Sequence, residues 1–294
     1  MKRRVLVSIM IMICLFVAAP SARALAADEF KVIRFGLIPS EDADKLVADS
    51  KPFISALEAS IGIPIKPFVA IDYSAVIEAL KSNQLEIAFL GPAAYVLAKD
   101  KVGCPIEAIA RGIMAETGKS SYEGYIVTQA NSSIKTLKDL KGKTFAFVDP
   151  ASMSGNFVPR YIFSQNGIDP EKDFKSVFYS GTHQASLIAV REGKVDACAV
   201  ASEVYDLAIS RGQMKPSDIR VIFKSQPIPG SPFVIRTNLP KDLQTKLSKG
   251  FLGLKNVRFG KLGVVNAMDP ATDADYDIVR KLVELETTLK AKKK

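Results

Sequence analysis

Two stretches decide the fold: DYSAVIEALKSNQLEIAFLGPAAYVLA, residues 72–98, and THQASLIAVREGKVDACAVASEVYDLA, residues 182–208. Displaced by 110 positions, they align without a gap. Ala75 then falls on Ala185, Ala79 on Ala189, Tyr95 on Tyr205, and Leu97-Ala98 on Leu207-Ala208. Lys81 matches Arg191, Leu85 matches Val195, and Glu86 matches Asp196. Each copy reads as a helix, a polar turn, a short apolar strand and a second helix. A unit of this kind occurring twice predicts two similar α/β lobes, and two facing lobes create a cleft of the sort that ligands favour.

The rhythm continues on both sides. Val32–Ile38 reads as an apolar strand, Asp44–Ser60 as an amphipathic helix, and Pro64–Val69 as a strand. Tyr73–Lys81 reads as a helix and Glu86–Leu90 as a buried strand. Thr144–Val148 repeats the strand, followed by a helix over about Asn156–Gln165 that stops at Gly167. Strands alternating with helices of this size indicate an α/β protein with mostly parallel sheets. Tyr125–Gln129 and Val221–Lys224 are the candidates for the two crossings between lobes. The second lobe is then a continuous insertion over residues 126–224. The first comprises 27–125 and 225–294, closing with helices near Lys241–Gly253 and Asp273–Leu289.

Residues 1–26 differ in kind. Lys2, Arg3 and Arg4 precede an apolar run from Val5 to Ala19, and Ala24-Leu25-Ala26 supplies small residues around one position. This is the pattern of a cleavable secretory leader, and the run is short for a membrane span. Of the formal charge of +9, the four positive charges Lys2, Arg3, Arg4 and Arg23 leave with the leader, so the exported chain carries +5. Lys290, Lys292, Lys293 and Lys294 crowd the C-terminus, which makes the body nearly neutral and argues against a nucleic-acid partner. Cys104 and Cys198 lie in or beside apolar runs, which favours two free buried thiols over a disulfide. A single histidine, His183, excludes a multi-histidine metal site, and no cluster has zinc-ligand spacing. No cofactor is expected.

Chemistry concentrates in two places. The loop Val148-Asp149-Pro150-Ala151-Ser152-Met153-Ser154-Gly155 joins a strand to a helix. Its small residues, hydroxyls and helix-start N–H groups suit an anion, although Ser152 or Ser154 serving as a simple N-cap fits equally well. The loop lacks the GxxxxGK[ST] pattern of nucleotide hydrolases, and GxSxG is absent from the chain. An enzyme is therefore not expected. Tyr73 and His183 are equivalent in the repeat, each at the start of a helix, and would face one cleft from opposite lobes.

At these residues the chain resembles the periplasmic phosphonate- and phosphite-binding proteins of ABC transporters. The resemblance rests on the first repeat copy, on SYEGYIV around Tyr122, on FVDPASMSGNFVPRYIF, on YSGTHQASLIAVREGKVDACAV and on SQPIPGSPFVIR, and spans nearly all of the exported chain. It implies the two-lobed periplasmic-binding-protein fold of type II, with mixed or parallel sheets, a hinge and an interlobe cleft. It further implies an exported monomer that hands a small phosphorus oxyanion to an ABC permease. Sensing for a membrane receptor and binding of another small anion stay open beside transport. By the same resemblance Tyr73 and Tyr122 contact the ligand from the first lobe, Ser152 and Ser154 cradle its oxygens, and His183 donates a hydrogen bond. Glu203 matches an acidic position that meets a ligand ammonium or accepts from a protonated oxygen. Met153 stands where the family often has Thr, and Ser231 where aminophosphonate binders carry Asp. Those two departures imply a preference for compact ligands over 2-aminoethylphosphonate.

Overall fold

A computed structural model describes residues 30–291. The leader and its cleavage site lie outside the described residues. From the N-terminal side the chain forms β1 (Ile33–Leu37), α1 (Ala43–Ile61), β2 (Ile65–Val69), α2 (Tyr73–Lys81), β3 (Ile87–Phe89), α3 (Pro92–Val96) and β4 (Ile106–Met114). It continues with β5 (Gly124–Gln129), β6 (Thr144–Phe147), α4 (Val158–Gln165), α5 (Pro170–Asp173), β7 (Ser176–Tyr179), α6 (His183–Arg191), β8 (Ala197–Ala201), α7 (Ser202–Ser210) and β9 (Ile219–Lys224). It closes with β10 (Pro232–Arg236), α8 (Lys241–Leu252), β11 (Lys255–Phe259), β12 (Gly263–Pro270) and α9 (Asp277–Ala291).

Two sheets result. The larger has seven strands in the order β11-β12-β4-β10-β3-β1-β2, and the smaller has five, β7-β6-β8-β5-β9. Parallel pairing is confined to β2-β1-β3 and β7-β6-β8. The other pairs are antiparallel, so the sheets are mixed where the alternation of elements predicts mostly parallel ones. Topology explains the difference. β4 carries the chain away from the larger sheet and β10 brings it back beside β4; β5 and β9 do the same in the smaller sheet.

The expected crossings are corrected in the same way. Tyr125–Gln129 and Val221–Lys224 belong to β5 and β9, strands of the smaller sheet. The passages between sheets fall just outside them, at 115–123 and 225–231. Tyr122 and Ile228 tie the two passages together by reciprocal backbone bonds of 3.1 and 2.7 Å.

Each sheet has its own aromatic core. Phe35, Phe53, Phe89, Phe233, Phe251 and Phe259 pack together over the larger sheet, with ring centroids as close as 4.6 Å. Phe145, Phe147, Phe163 and Phe174 pack with Ile126, Ile134 and Leu140 over the smaller. Each such side chain contributes about 1.5–3 kcal/mol by leaving water. Cys104 and Cys198 are buried free thiols.

The repeat survives in atomic detail. Asp72 and Thr182 cap α2 and α6 alike, accepting from the N–H of Ala75 and of Ala185 at 2.7 and 3.0 Å. Glu86 and Asp196 also share a role, accepting the backbone N–H of Arg34 and of Thr144, each at 2.8 Å. The carboxylate before each central strand thus pins the neighbouring strand of its sheet.

Candidate functional site

The loop after β6 reaches the helix sooner than its sequence suggests. Helical bonding starts at Met153, not near Asn156, with one wide turn over Met153–Phe157 ahead of α4. Pro159 has no N–H to give to the carbonyl of Gly155 four residues earlier. That carbonyl accepts instead from Val148 N at 3.1 Å, and Phe157 N reaches back to Ser152 O at 3.1 Å. The wide turn draws the helix start against the end of β6. Ser152 caps it, its Oγ accepting from Gly155 N at 3.0 Å, which leaves the hydroxyl proton to donate. The N–H groups of Met153 and Ser154 occupy the first helical positions, where no intrahelical acceptor exists.

Asp149 joins this loop to the other lobe. Its carboxylate accepts from Ala151 N at 2.7 Å and, across the cleft, from the backbone N–H of Tyr73 at 3.4 Å. Tyr73 is 2 % exposed, and its hydroxyl lies near that of Ser152. Tyr122, on the first passage between sheets, stands in the same relation to Ser154. Burial, assisted by the charge of Asp149, pushes the Tyr73 phenol above its ordinary range. Burial and Glu203 do the same for Tyr122, so both phenols stay protonated donors at neutral pH.

His183 opens α6 opposite. Its Nδ1 accepts from Ala201 N at 3.1 Å, so the ring proton sits on Nε2 and is available to a ligand. Burial, with the positive charge of Lys261 adding to it, lowers the imidazole to about 3, and the ring is neutral at working pH. A base held neutral in the fold but protonated when unfolded stabilises the protein fully above the ordinary value of 6.5. That contribution is lost as pH falls from 6.5 toward 3. Between pH 7 and pH 5 the ligand-free protein is expected to lose about 2 kcal/mol of stability through this residue. Denaturant titration of His183→Gln beside the native chain checks it. An unchanged pH slope in the variant would show that the ring is not buried in its neutral form.

Glu203 lies in the first turn of α7, and Ser231 directly precedes β10. Both bind one cation that the sequence did not flag. Lys261 Nζ donates to Glu203 Oε2 at 2.8 Å and to Ser231 Oγ at 3.0 Å. It also sits over the rings of Tyr122 and Phe89, 5.1 and 5.6 Å from their centroids. Lys261 lies between Gly260 and Gly263, both at positive φ, a setting that reads as an exposed basic turn. Only the tertiary partners bury it. Met153 is buried in the loop beside the two serines.

All eight residues singled out from the sequence are therefore buried: Tyr73, Tyr122, Ser152, Met153, Ser154, His183, Glu203 and Ser231. Tyr73 lies near Ser152 and Tyr122 near Ser154, while Glu203 and Ser231 are joined through Lys261. Sequence reasoning also missed contacts that bridge the two lobes. Gln184 of α6 donates its N–H to Ser40 O at 3.3 Å and accepts from Asp42 N at 3.0 Å. Arg211, at the end of α7, bridges Glu41 and Asp49 at 2.9 and 2.7 Å. Among the described residues no group of His, Cys, Asp and Glu could hold a metal ion. The Tyr73 and Tyr122 hydroxyls stand near those of Ser152 and Ser154 at the helix start, and His183 keeps a buried imidazole N–H; donors of these kinds suit a small oxyanion.

Comparison with known proteins identifies the family. Residues 35–276 match the family described as "ABC transporter, phosphonate, periplasmic substrate-binding protein". A phosphate-import protein of Mycolicibacterium smegmatis is 30% identical, the alignment covering 89% of this chain and 88% of that protein. A phosphonates-binding periplasmic protein of Escherichia coli is 31% identical over 78% of this chain and 68% of its own length. The crystal structure of a binding protein component of an ABC phosphonate transporter from Pseudomonas aeruginosa superposes with a TM-score of 0.79 at 29% identity. It covers 87% of this chain and 86% of that one.

Proposed function

The chain belongs to the periplasmic phosphonate-binding proteins of ABC transporters, and from that premise we propose that its cleft captures one compact phosphorus oxyanion, such as phosphate, phosphite or methylphosphonate, for an ABC permease. The observation that carries this is the set of buried donors supplied from both lobes. Ser152, Ser154 and His183 come from the smaller-sheet side, Tyr73 from the larger, and Tyr122 from the passage between them. Three oxygens of a tetrahedral anion each take up to three donors, and such charge-assisted bonds are the strong ones. The nearby cation, Lys261, is already matched by Glu203, so the neutral donors provide the selectivity for an anion.

With β5 kept whole, residues 27–123 with 225–294 act as one lobe and 124–224 as the other, hinged at the passages around Tyr122 and Ile228. Residues 1–26 serve as the export leader, and the exported chain acts as a monomer.

The test is a dye-reported thermal-shift panel on ligand-free 27–294, since the chain has no tryptophan. Phosphate, phosphite, methylphosphonate, sulfate and nitrate are compared. At 100 times its dissociation constant a ligand adds about 2.7 kcal/mol, several degrees for a protein of this size. A shift with one or more phosphorus oxyanions and none with sulfate or nitrate is expected. No shift with any phosphorus compound would overturn the reading, and a shift with sulfate or nitrate alone would replace it with another anion.

A further inference from the structure

We propose that Lys261 is a built-in occupant of an ammonium pocket at one end of the cleft, and that it restricts the site to oxyanions without a cationic arm. The inference rests on the reading above and names the part of the ligand that the site excludes.

The surroundings of Nζ are those of an ammonium-binding site. A carboxylate oxygen of Glu203 lies at 2.8 Å and the Ser231 hydroxyl at 3.0 Å. Two aromatic faces, Tyr122 and Phe89, lie within 6 Å, the geometry in which ring quadrupoles attract a cation. The carboxylate is 2 % exposed and the lysine 4 %. A buried charge of either sign is costly unless paired, so this pocket requires a cation. The chain supplies that cation from the opposite lobe, on the short turn Gly260–Leu262 that packs against α1 and α7. The turn has little freedom to retreat: a Cβ on Gly260 would stand 2.6 Å from Leu46 Cδ1.

Position ties the pocket to the anion site. Tyr122 is shared, with its ring under Lys261 and its hydroxyl beside Ser154. Lys261 is also close enough to act on His183, and Glu203 on both Tyr73 and Tyr122. A ligand holding its phosphorus oxygens at Ser152 and Ser154 and carrying a short amine would direct that amine toward Glu203. It would meet an ammonium already in place. Like charge therefore opposes an aminoalkyl arm, whereas a methyl group or a bare oxygen does not reach Lys261.

The experiment compares methylphosphonate with 2-aminoethylphosphonate on the native chain and on Lys261→Ala. The native chain is expected to bind methylphosphonate at least tenfold more tightly. Lys261→Ala, which leaves Glu203 as an unmatched buried carboxylate, is expected to gain at least tenfold for 2-aminoethylphosphonate. The double variant Lys261→Ala with Glu203→Gln should lose that gain. Ethylammonium alone should raise the Tm of Lys261→Ala and leave the native Tm unchanged. This arm involves no phosphorus compound, so it stands even if the oxyanion reading fails. Equal affinities of the native chain for the two phosphonates would overturn the proposal, even if the alanine variant does not fold. A folded alanine variant that gains nothing for either amine would overturn it as well.

Discussion

Ser152→Ala combined with Ser154→Ala is expected to weaken binding of methylphosphonate by about two to three decades. Hydrogen bonds to a charged group are worth about 1.5–3 kcal/mol, one to two decades of affinity each. Two neighbouring donors to one ligand fall short of full additivity. Stability separates binding from folding here. Ser152 Oγ caps the helix start through Gly155 N, so its loss costs about 1 kcal/mol of stability. Ser154 has no capping role, and Ser154→Ala alone is expected to leave the ligand-free Tm almost unchanged. Isothermal titration of the single and double variants, with the ligand-free melting curves beside them, checks both parts. A double variant that stays within threefold of the native affinity would remove these hydroxyls from the ligand's contacts.

Gly155→Ala is expected to damage fold and site together. A Cβ at this position would stand 2.4 Å from Val148 Cβ, 2.5 Å from Val148 Cγ2 and 2.8 Å from Ser152 Oγ. Val148 directly follows β6 and is branched at Cβ, so it has no rotamer that clears the space. The helix start must move away from the strand. Overpacking of this kind costs about 1–3 kcal/mol, or a fall of several degrees in Tm. The displaced turn carries Ser152, Ser154 and the two helix-start N–H groups, so affinity for methylphosphonate is expected to drop at least tenfold even where the protein remains folded. Thermal melting and titration of the variant would show both losses; native affinity in a destabilised variant would detach the loop from binding.

Both expectations come from a loop that was visible in the sequence as small and hydroxylated, and whose capping and anion readings were there in competition. Ser152 accepts a backbone bond as a cap while its hydroxyl proton stays free to donate, so the two readings are compatible. The early helix start was not visible, because it depends on Pro159 withholding an N–H and on Val148 claiming the carbonyl thereby released.

The repeat was the most legible feature, and for a physical reason. Caps and strand-pinning carboxylates act over a few residues or between adjacent strands, so Asp72 with Thr182 and Glu86 with Asp196 carry their roles in local spacing. Periodicity likewise set the extents of α2 and of β1, β2, β3 and β6 to within a residue. Strand direction was less legible. Whether β10 runs parallel or antiparallel depends on the route of the chain through the other lobe and back.

By itself, then, the sequence determined the α/β class, the doubled unit, the loop that supplies hydroxyls and the placement of Tyr73 and His183 at equivalent helix starts. These follow from hydrophobic period, caps and turn residues, all of which are local. Only the tertiary structure decided that the sheets are mixed, that the passages run at 115–123 and 225–231, and that Gln184 and Arg211 hold the lobes together. It alone also turned Lys261, a basic residue between glycines, into a buried partner of Glu203. The burial of a charge is set by what the fold brings to it, and Glu203 lies 58 residues away along the chain.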